Sequence, residues 1–230
     1  MIEYLAWDSQ FFSQKIGRFE ISTLRKPDIR ELFEQKINHQ YNLVYLFAEK
    51  IEKKAENELV KKKIHPLDKR IIFSKLVSSG YAWSEQVILY NGPITDSLLE
   101  LAILSGHKSR FKKDPRLSHH FNDLYELWIK KSITGEMADA VFVTKSDSSI
   151  EGFITLKKDG ALGKIGLIAV SPESQGKGFG TKLIQAAEFW CFKNRLKSCS
   201  VVTQLDNKEA CLLYEKNGFN AERIEFVYHL

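Results

Sequence analysis

Residues 165–181 read Ile165-Gly-Leu-Ile-Ala-Val170-Ser-Pro-Glu-Ser-Gln175-Gly-Lys-Gly-Phe-Gly180-Thr181, and their order decides the fold. An apolar run closes at Val170, Ser171 to Ser174 forms a turn, glycines recur at Gly176, Gly178 and Gly180, and helical periodicity follows from Leu183 to Trp190. Strand, glycine loop and helix in that order offer positive-φ backbone, close approach to a ligand, unpaired helix N–H groups and the positive end of a helix dipole. Together these parts predict a phosphate site.

Spacing separates the known phosphate loops. A P-loop requires G-x-x-x-x-G-K-[ST], but Gly176-Lys177 is followed by Gly178. A dinucleotide fingerprint requires G-x-G-x-x-G at the opening of a βαβ unit, whereas these glycines are separated by single residues and their strand follows other strands. The pattern that does fit is [RQ]-x-x-G-x-[GA] at Gln175, Gly178 and Gly180, behind a strand ending in V-x-P. It resembles the acetyl-CoA pyrophosphate loop of the GNAT-type N-acetyltransferases. A glycine-rich turn without a ligand is the alternative reading.

The composition of the 230 residues is that of a soluble globular protein, without an apolar run long enough for a bilayer or a signal-like start, so a cytoplasmic protein with no membrane partner is expected. The formal charge of +5 comes from scattered lysines, densest at Lys61-Lys62-Lys63. No aromatic residues interleave with that run, which argues against a nucleic-acid partner and for a solvated helix face. A basic balance suits a polyanionic ligand. Cys191, Cys199 and Cys211 lie in apolar segments without metal-ligand spacing, so reduced core thiols and no metal are expected.

Along the chain, strands are expected at Ile16–Ile21, Leu43–Ala48, around Ile71–Phe73 and at Gln86–Tyr90, with helices from Pro27 and over Glu56–Lys63. Helices follow over Thr95–Leu104 and Phe121–Lys131, the latter with Phe121, Leu124, Tyr125 and Trp128 on one face. That aromatic stripe reads as core. Between these helices, Ser105 to Pro115 carries Arg110 and three lysines, either solvated or anion-binding. A hairpin of Ala140–Val143 and Gly152–Leu156 turns at Ser146–Ser149 and leads into the strand ending at Val170.

The run of strand (Cys199–Gln204), helix (Asn207–Asn217) and strand (Ile224–Tyr228) repeats the order seen from Leu43 to Phe73. It suggests two units, a truncated αβ unit over residues 1–95 and a catalytic unit over residues 96–230, with one cofactor site. The fold class expected is α+β. On the helix ended by Gly218, three- and four-residue steps place Asn207, Ala210, Tyr214 and Asn217 on one stripe. Periodicity alone makes Tyr214 a half-buried packing residue.

The pattern Asn207…Ala210…Leu213-Tyr214-Glu215-Lys216-Asn217-Gly218-Phe219 resembles the last motif of the GNAT superfamily. Trp7-Asp8-Ser9-Gln10-Phe11-Phe12, Ser109-Arg110-Phe111, Tyr125 to Ile129 and Ile165-Gly166-Leu167 further resemble a branch that acetylates the 4-amino group of a dTDP-4-amino-4,6-dideoxy-hexose. The superfamily resemblance implies a mixed, mostly antiparallel sheet flanked by helices. It also implies acetyl-CoA as co-substrate, its pantetheine arm on Ile168 and Val170. The pyrophosphate would lie on the N–H groups around Gln175, Gly176, Lys177, Gly178, Phe179, Gly180 and Thr181, with Asn207 also at the cofactor. Tyr214 would be the general acid that protonates the leaving thiolate.

The closer resemblance puts Arg110 and Phe111 beside the acceptor. His119, His120, Glu126 and Glu136 lie in plausible regions for a base, and that role stays unassigned. The enzyme expected is an N-acetyltransferase acting on a nucleotide-linked amino sugar for surface polysaccharide biosynthesis, with a homodimer as one possible assembly. Its rivals are an acetyltransferase of peptide or antibiotic amines and a non-catalytic acyl-CoA sensor.

Overall fold

The computed structural model describes residues 1–78, 84–145 and 149–230. Ten strands form one sheet: β1 (Glu3–Tyr4), β2 (Ile16–Leu24), β3 (Leu43–Ile51), β4 (Asp68–Leu76), β5 (Val87–Leu89), β6 (Ala140–Lys145), β7 (Ile150–Asp159), β8 (Leu162–Val170), β9 (Ser198–Gln204) and β10 (Asn220–His229). The helices are α1 (Ala6–Phe11), α2 (Lys26–Asn38), α3 (Lys53–Lys61), α4 (Asp96–Ser105), α5 (Arg110–Lys113), α6 (Phe121–Ile133), α7 (Phe179–Lys193) and α8 (Lys208–Lys216). A mixed sheet with flanking helices is the α+β architecture expected. The turn expected at Ser146–Ser149 falls, for its first three residues, outside the described residues.

The strand order is β1-β2-β3-β10-β4-β9-β8-β7-β6-β5. Around the β10/β4 contact the pairing is palindromic. Antiparallel β1·β2 answers antiparallel β7·β8, parallel β2·β3 answers parallel β8·β9, and antiparallel β3·β10 answers antiparallel β4·β9. Helices follow the same repeat, α2 after β2 as α7 after β8, and α3 between β3 and β4 as α8 between β9 and β10.

The two runs exchange their last strands. β4 lies between β10 and β9, where it satisfies the backbone groups of both, and β5 extends the far edge on β6. Strands from both sides of residue 95 therefore alternate within one sheet. The apolar packing says the same: Ile71, Phe73 and Val87 lie in the core under α7, and Tyr228 and Leu230 in the core under α2 and α3.

Local chemistry sets the helix ends. The Thr95 hydroxyl accepts from the Leu98 N–H at 3.3 Å to cap α4. Gly218, at φ +79°, ends the α8 region while the Phe219 N–H returns to the Tyr214 carbonyl at 3.0 Å. Helix α7 begins at Phe179, four residues before the expected Leu183, because Gly178 at φ +83° serves as its N-cap. Its face of Leu183, Ile184, Ala187 and Cys191 is fully buried. All three cysteines are free and buried.

Candidate active site

Between Ile154 and Leu156 of β7 the register to β8 shifts, so that Gly166 and Leu167 stand opposite the single residue Thr155. The Thr155 hydroxyl accepts the Leu167 N–H at 2.8 Å, and a Cβ on Gly166 would lie 2.8 Å from that hydroxyl. Only glycine fits this bulge. Here β8 turns from β9: the two pair from Leu162↔Ser198 to Ile165↔Val201 and then separate. By contrast β2 and β3 stay paired from Ile16↔Leu43 to Leu24↔Ile51. Leu167 to Val170 are consequently half-buried.

The separation opens a cleft of about 680 Å³. Ile168, Val170, Gln175, Gly176, Gly178, Phe179, Gly180, Thr181, Asn207 and Tyr214 all line it, whereas Lys177 is exposed and outside it. At the loop, Gly176 (φ +77°) and Gly178 (φ +83°) adopt left-handed backbone with open space where a side chain would stand. Ser171 and Ser174 anchor the turn by donating to Glu151 Oε2 at 2.8 and 2.6 Å. The first intrahelical bond of α7 runs from the Lys182 N–H to the Gly178 carbonyl, so the N–H groups of Phe179, Gly180 and Thr181 have no acceptor within the helix. Open left-handed glycines, free helix amides and an unpaired strand edge fit a diphosphate carried on an extended amide-bearing arm.

Tyr214 is 2 % exposed, packs against Phe73 and Phe219, and still lines the cleft. Burial, followed by the nearby Cys211 and Cys199, raises its phenol well above the ordinary range, so it holds its proton at neutral pH. Asn207 caps α8, accepting the Ala210 N–H at 3.5 Å and donating to Thr203 Oγ1 at 3.4 Å.

At the other end the cleft is lined by Ser105, Ser109, Tyr125 and Trp128. The aromatic stripe of α6 is thus both core and wall. Arg110 and Phe111 open the short helix α5 and do not line the cleft; Phe111 lies behind this wall, in the apolar cluster that also holds Tyr45, Phe47, Tyr125, Trp128 and Leu167, and Arg110 packs on its rings. The Arg110 guanidinium carbon lies 4.3 Å from the ring centre of Phe111 and 4.6 Å from that of Tyr45. Among the described residues its Nε, the Tyr45 hydroxyl and Trp128 Nε1 are buried and have no hydrogen-bond partner. Glu126 and Glu136 are paired with Lys130 and Lys131 at 3.0 Å, and neither they nor His119 and His120 line the cleft.

Three elements were not singled out beforehand: the Thr155–Gly166 bulge, the Trp128 wall and Tyr45. The first had a signal, since an isolated glycine in a strand pattern marks a bulge.

Comparison with known proteins agrees with this geometry. The model of the acetyltransferase (GNAT) family matches residues 103–219, which is half of the chain. The chain belongs to the GNAT acetyltransferase family. Acetyl-CoA is the acyl donor of that family, and the cleft has the shape and donors to receive it.

Over 138 residues this GNAT chain is 30 % identical to the spore coat polysaccharide biosynthesis protein SpsD of Bacillus subtilis, covering 59 % of the chain and 47 % of that protein. Over 128 residues it is 27 % identical to the dTDP-fucosamine acetyltransferase of Escherichia coli, covering 55 % and 54 % respectively. It therefore spans about half the length of these relatives. A conserved Staphylococcus epidermidis protein of unknown function has the same fold, with a TM-score of 0.66, 12 % identity, and coverage of 99 % of this chain and 89 % of that one. No described helix is long and apolar enough to cross a membrane. Among the described residues no group of three or more His, Cys, Asp or Glu could hold a metal.

Proposed function

We propose that this chain is an N-acetyltransferase whose acceptor is the amine of a nucleotide-linked amino sugar, most closely a dTDP-4-amino-4,6-dideoxy-hexose, within surface polysaccharide synthesis. The observation that carries the reading is the course of one cleft, from the free amides of α7 past Tyr214 to Ser109, Tyr125 and Trp128, with the half-buried Arg110 stacked on the rings beside that wall. The two relatives, a spore coat polysaccharide biosynthesis protein and a dTDP-fucosamine acetyltransferase, support the same substrate class.

Bound acetyl-CoA supplies a thioester whose carbonyl carbon is open to a neutral amine. The Gly176–Thr181 backbone holds the diphosphate, and the free edge of β8 at Ile168 and Val170 aligns the extended arm by backbone hydrogen bonds. As the C–N bond forms and the C–S bond breaks, the Tyr214 hydroxyl gives its proton to the departing sulfur. A raised phenol pKa keeps that proton available and makes the tyrosinate quick to regain it from solvent. The amine's own surplus proton leaves to water.

Thiol release with acetyl-CoA, measured across dTDP- and UDP-linked amino sugars, simple amino sugars, peptides and aminoglycosides, tests the reading. Turnover confined to nucleotide-linked amines is expected. Equal or better turnover of peptides or aminoglycosides would overturn it.

A further inference from the structure

A second groove, of about 630 Å³, lies on the sheet over β4 and β9 and is lined in part by Arg70, Ile72, Ser74, Ser200 and Val202. In β4 the alternate residues Ile71 and Phe73, with Val201 of β9, pack into the core under α7. Strand alternation therefore turns Arg70, Ile72, Ser74, Ser200 and Val202 to the opposite face, where Val202 is 50 % exposed. Val201 and Val202 border both the groove and the cofactor cleft, so the two meet where β8 leaves β9.

Arg70 lines this groove, and Phe47 and Arg110 lie beyond it, outside the groove's own lining. Register pairs Val227 with both Phe47 and Asp68, and Glu225 with Arg70, which puts Phe47 and Arg70 on the same face. The Arg70 guanidinium carbon lies 3.8 Å from the centre of the Phe47 ring, and that of Arg110 lies 5.5 Å from the same centre. Arg70 is fixed by Glu225, which is 8 % exposed, and by Glu20 Oε1 at 3.4 Å. Arg110 has no such partner: among the described residues no carboxylate comes within 4.0 Å of it, and its Nε is buried and unbonded. The carboxylate that acts on it electrostatically is Asp8, from outside ion-pair distance.

Two guanidinium groups over one aromatic ring, one of them half-buried with its Nε buried and no carboxylate within ion-pair distance, are stable together when an anion joins them. Their planar forks suit phosphate oxygens, and the stacked rings keep the forks in place. We propose that Arg70 and Arg110 form a two-arginine seat over Phe47 for the diphosphate of the acceptor, which enters along the groove on the sheet face opposite α7. The acceptor amine then reaches the thioester through the β8/β9 opening while its diphosphate end stays on the arginines, away from the coenzyme. This rests on the nucleotide-sugar reading for the identity of the acceptor, but assigns Arg70 and the direction of approach independently of it.

The test uses full-length protein saturated with coenzyme A, so that the glycine loop is already filled, and inorganic pyrophosphate and dTDP as calorimetric probes. Both are expected to bind, and Arg110→Gln and Arg70→Gln are each expected to weaken them about tenfold or more. Coenzyme A affinity in the same variants, unchanged, reports that the fold is intact. Because Arg70→Gln also frees Glu225, Arg70→Lys is measured beside it: a retained charge without the fork is expected to give intermediate affinity. Pyrophosphate that fails to bind the wild type, or binds Arg70→Gln as tightly, overturns the seat. If no nucleotide sugar is acetylated yet pyrophosphate binding still depends on both arginines, the seat stands and the amino-sugar reading falls.

Discussion

The hydroxyl of Thr155 accepts the backbone N–H of Leu167 at 2.8 Å, and this bond closes the bulge from which the cofactor cleft opens. Thr155 is 3 % exposed, so its hydroxyl is held inside the sheet as the partner of that N–H. Thr155→Val keeps the shape and removes the acceptor. An unpaired buried donor costs about 1–3 kcal/mol. A drop in melting temperature with a raised Kd for acetyl-CoA is expected, since the edge of β8 loses its fixed position. Wild-type values for both would show that the bulge holds without this bond.

Gly178 occupies left-handed backbone at φ +83° as the N-cap of α7. A β-branched residue there is strained even though a Cβ would meet open space. Gly178→Val is expected to weaken acetyl-CoA binding at least tenfold by calorimetry, an effect of about 1.4 kcal/mol, while circular dichroism stays native. Unchanged affinity would remove the loop from the cofactor site.

These features differ in how far the chain itself disclosed them. Gln175, Gly178 and Gly180, and the stripe from Asn207 to Asn217, could be read because their chemistry depends on neighbours a few residues away. The insertion of β4 between β10 and β9 could not, because its partners lie more than a hundred residues downstream and the hydrophobic pattern of β4 suits several positions in a sheet. For Arg110 the residues alone left a solvated and an anion-binding reading open, and gave no sign that its Nε is buried. Its surroundings come from Tyr45 and Phe47 on β3, which only the folded topology brings to it.

Acid should loosen the contact between the α5 region and β10. His229 Nδ1 lies 2.5 Å from Asp114 Oδ2, and both side chains are nearly inaccessible, at 2 % and 3 % exposure. Burial first, against the pull of Asp114, lowers the His229 pKa to about 4. Hydrogen bonds from His229 and Arg116 outweigh burial at Asp114 and hold its carboxyl below the usual range. A depressed folded pKa means that the unfolded chain takes up the proton first, so stability is full above about pH 6.5 and is lost as pH falls toward 4. Thermal melts from pH 7.5 to 4.5 should show a steady decline, and His229→Gln should flatten it. A wild-type melting temperature constant over that range, or a variant that declines as steeply, would remove His229 from the account.

Tyr214 tests the chemistry most directly, because its ring and its hydroxyl have separable tasks. The ring packs on Phe73 and Phe219 at centroid distances of 5.6 and 6.1 Å, so Tyr214→Phe should fold and bind coenzyme A as the wild type does. The hydroxyl is the part with access to the cleft, and among the described residues no hydrogen bond ties it elsewhere. General acid catalysis contributes about 10²–10⁴-fold, so kcat should fall within that range with little change in the Kd for acetyl-CoA. The loss should shrink for an acyl donor whose thiol has a lower pKa, because such a sulfur leaves without help. That second dependence distinguishes proton donation from a packing defect, which would slow every donor alike. A variant within about twofold of wild-type kcat, measured in single turnover so that product release does not mask the step, would return Tyr214 to the core and leave the sulfur to be protonated by water.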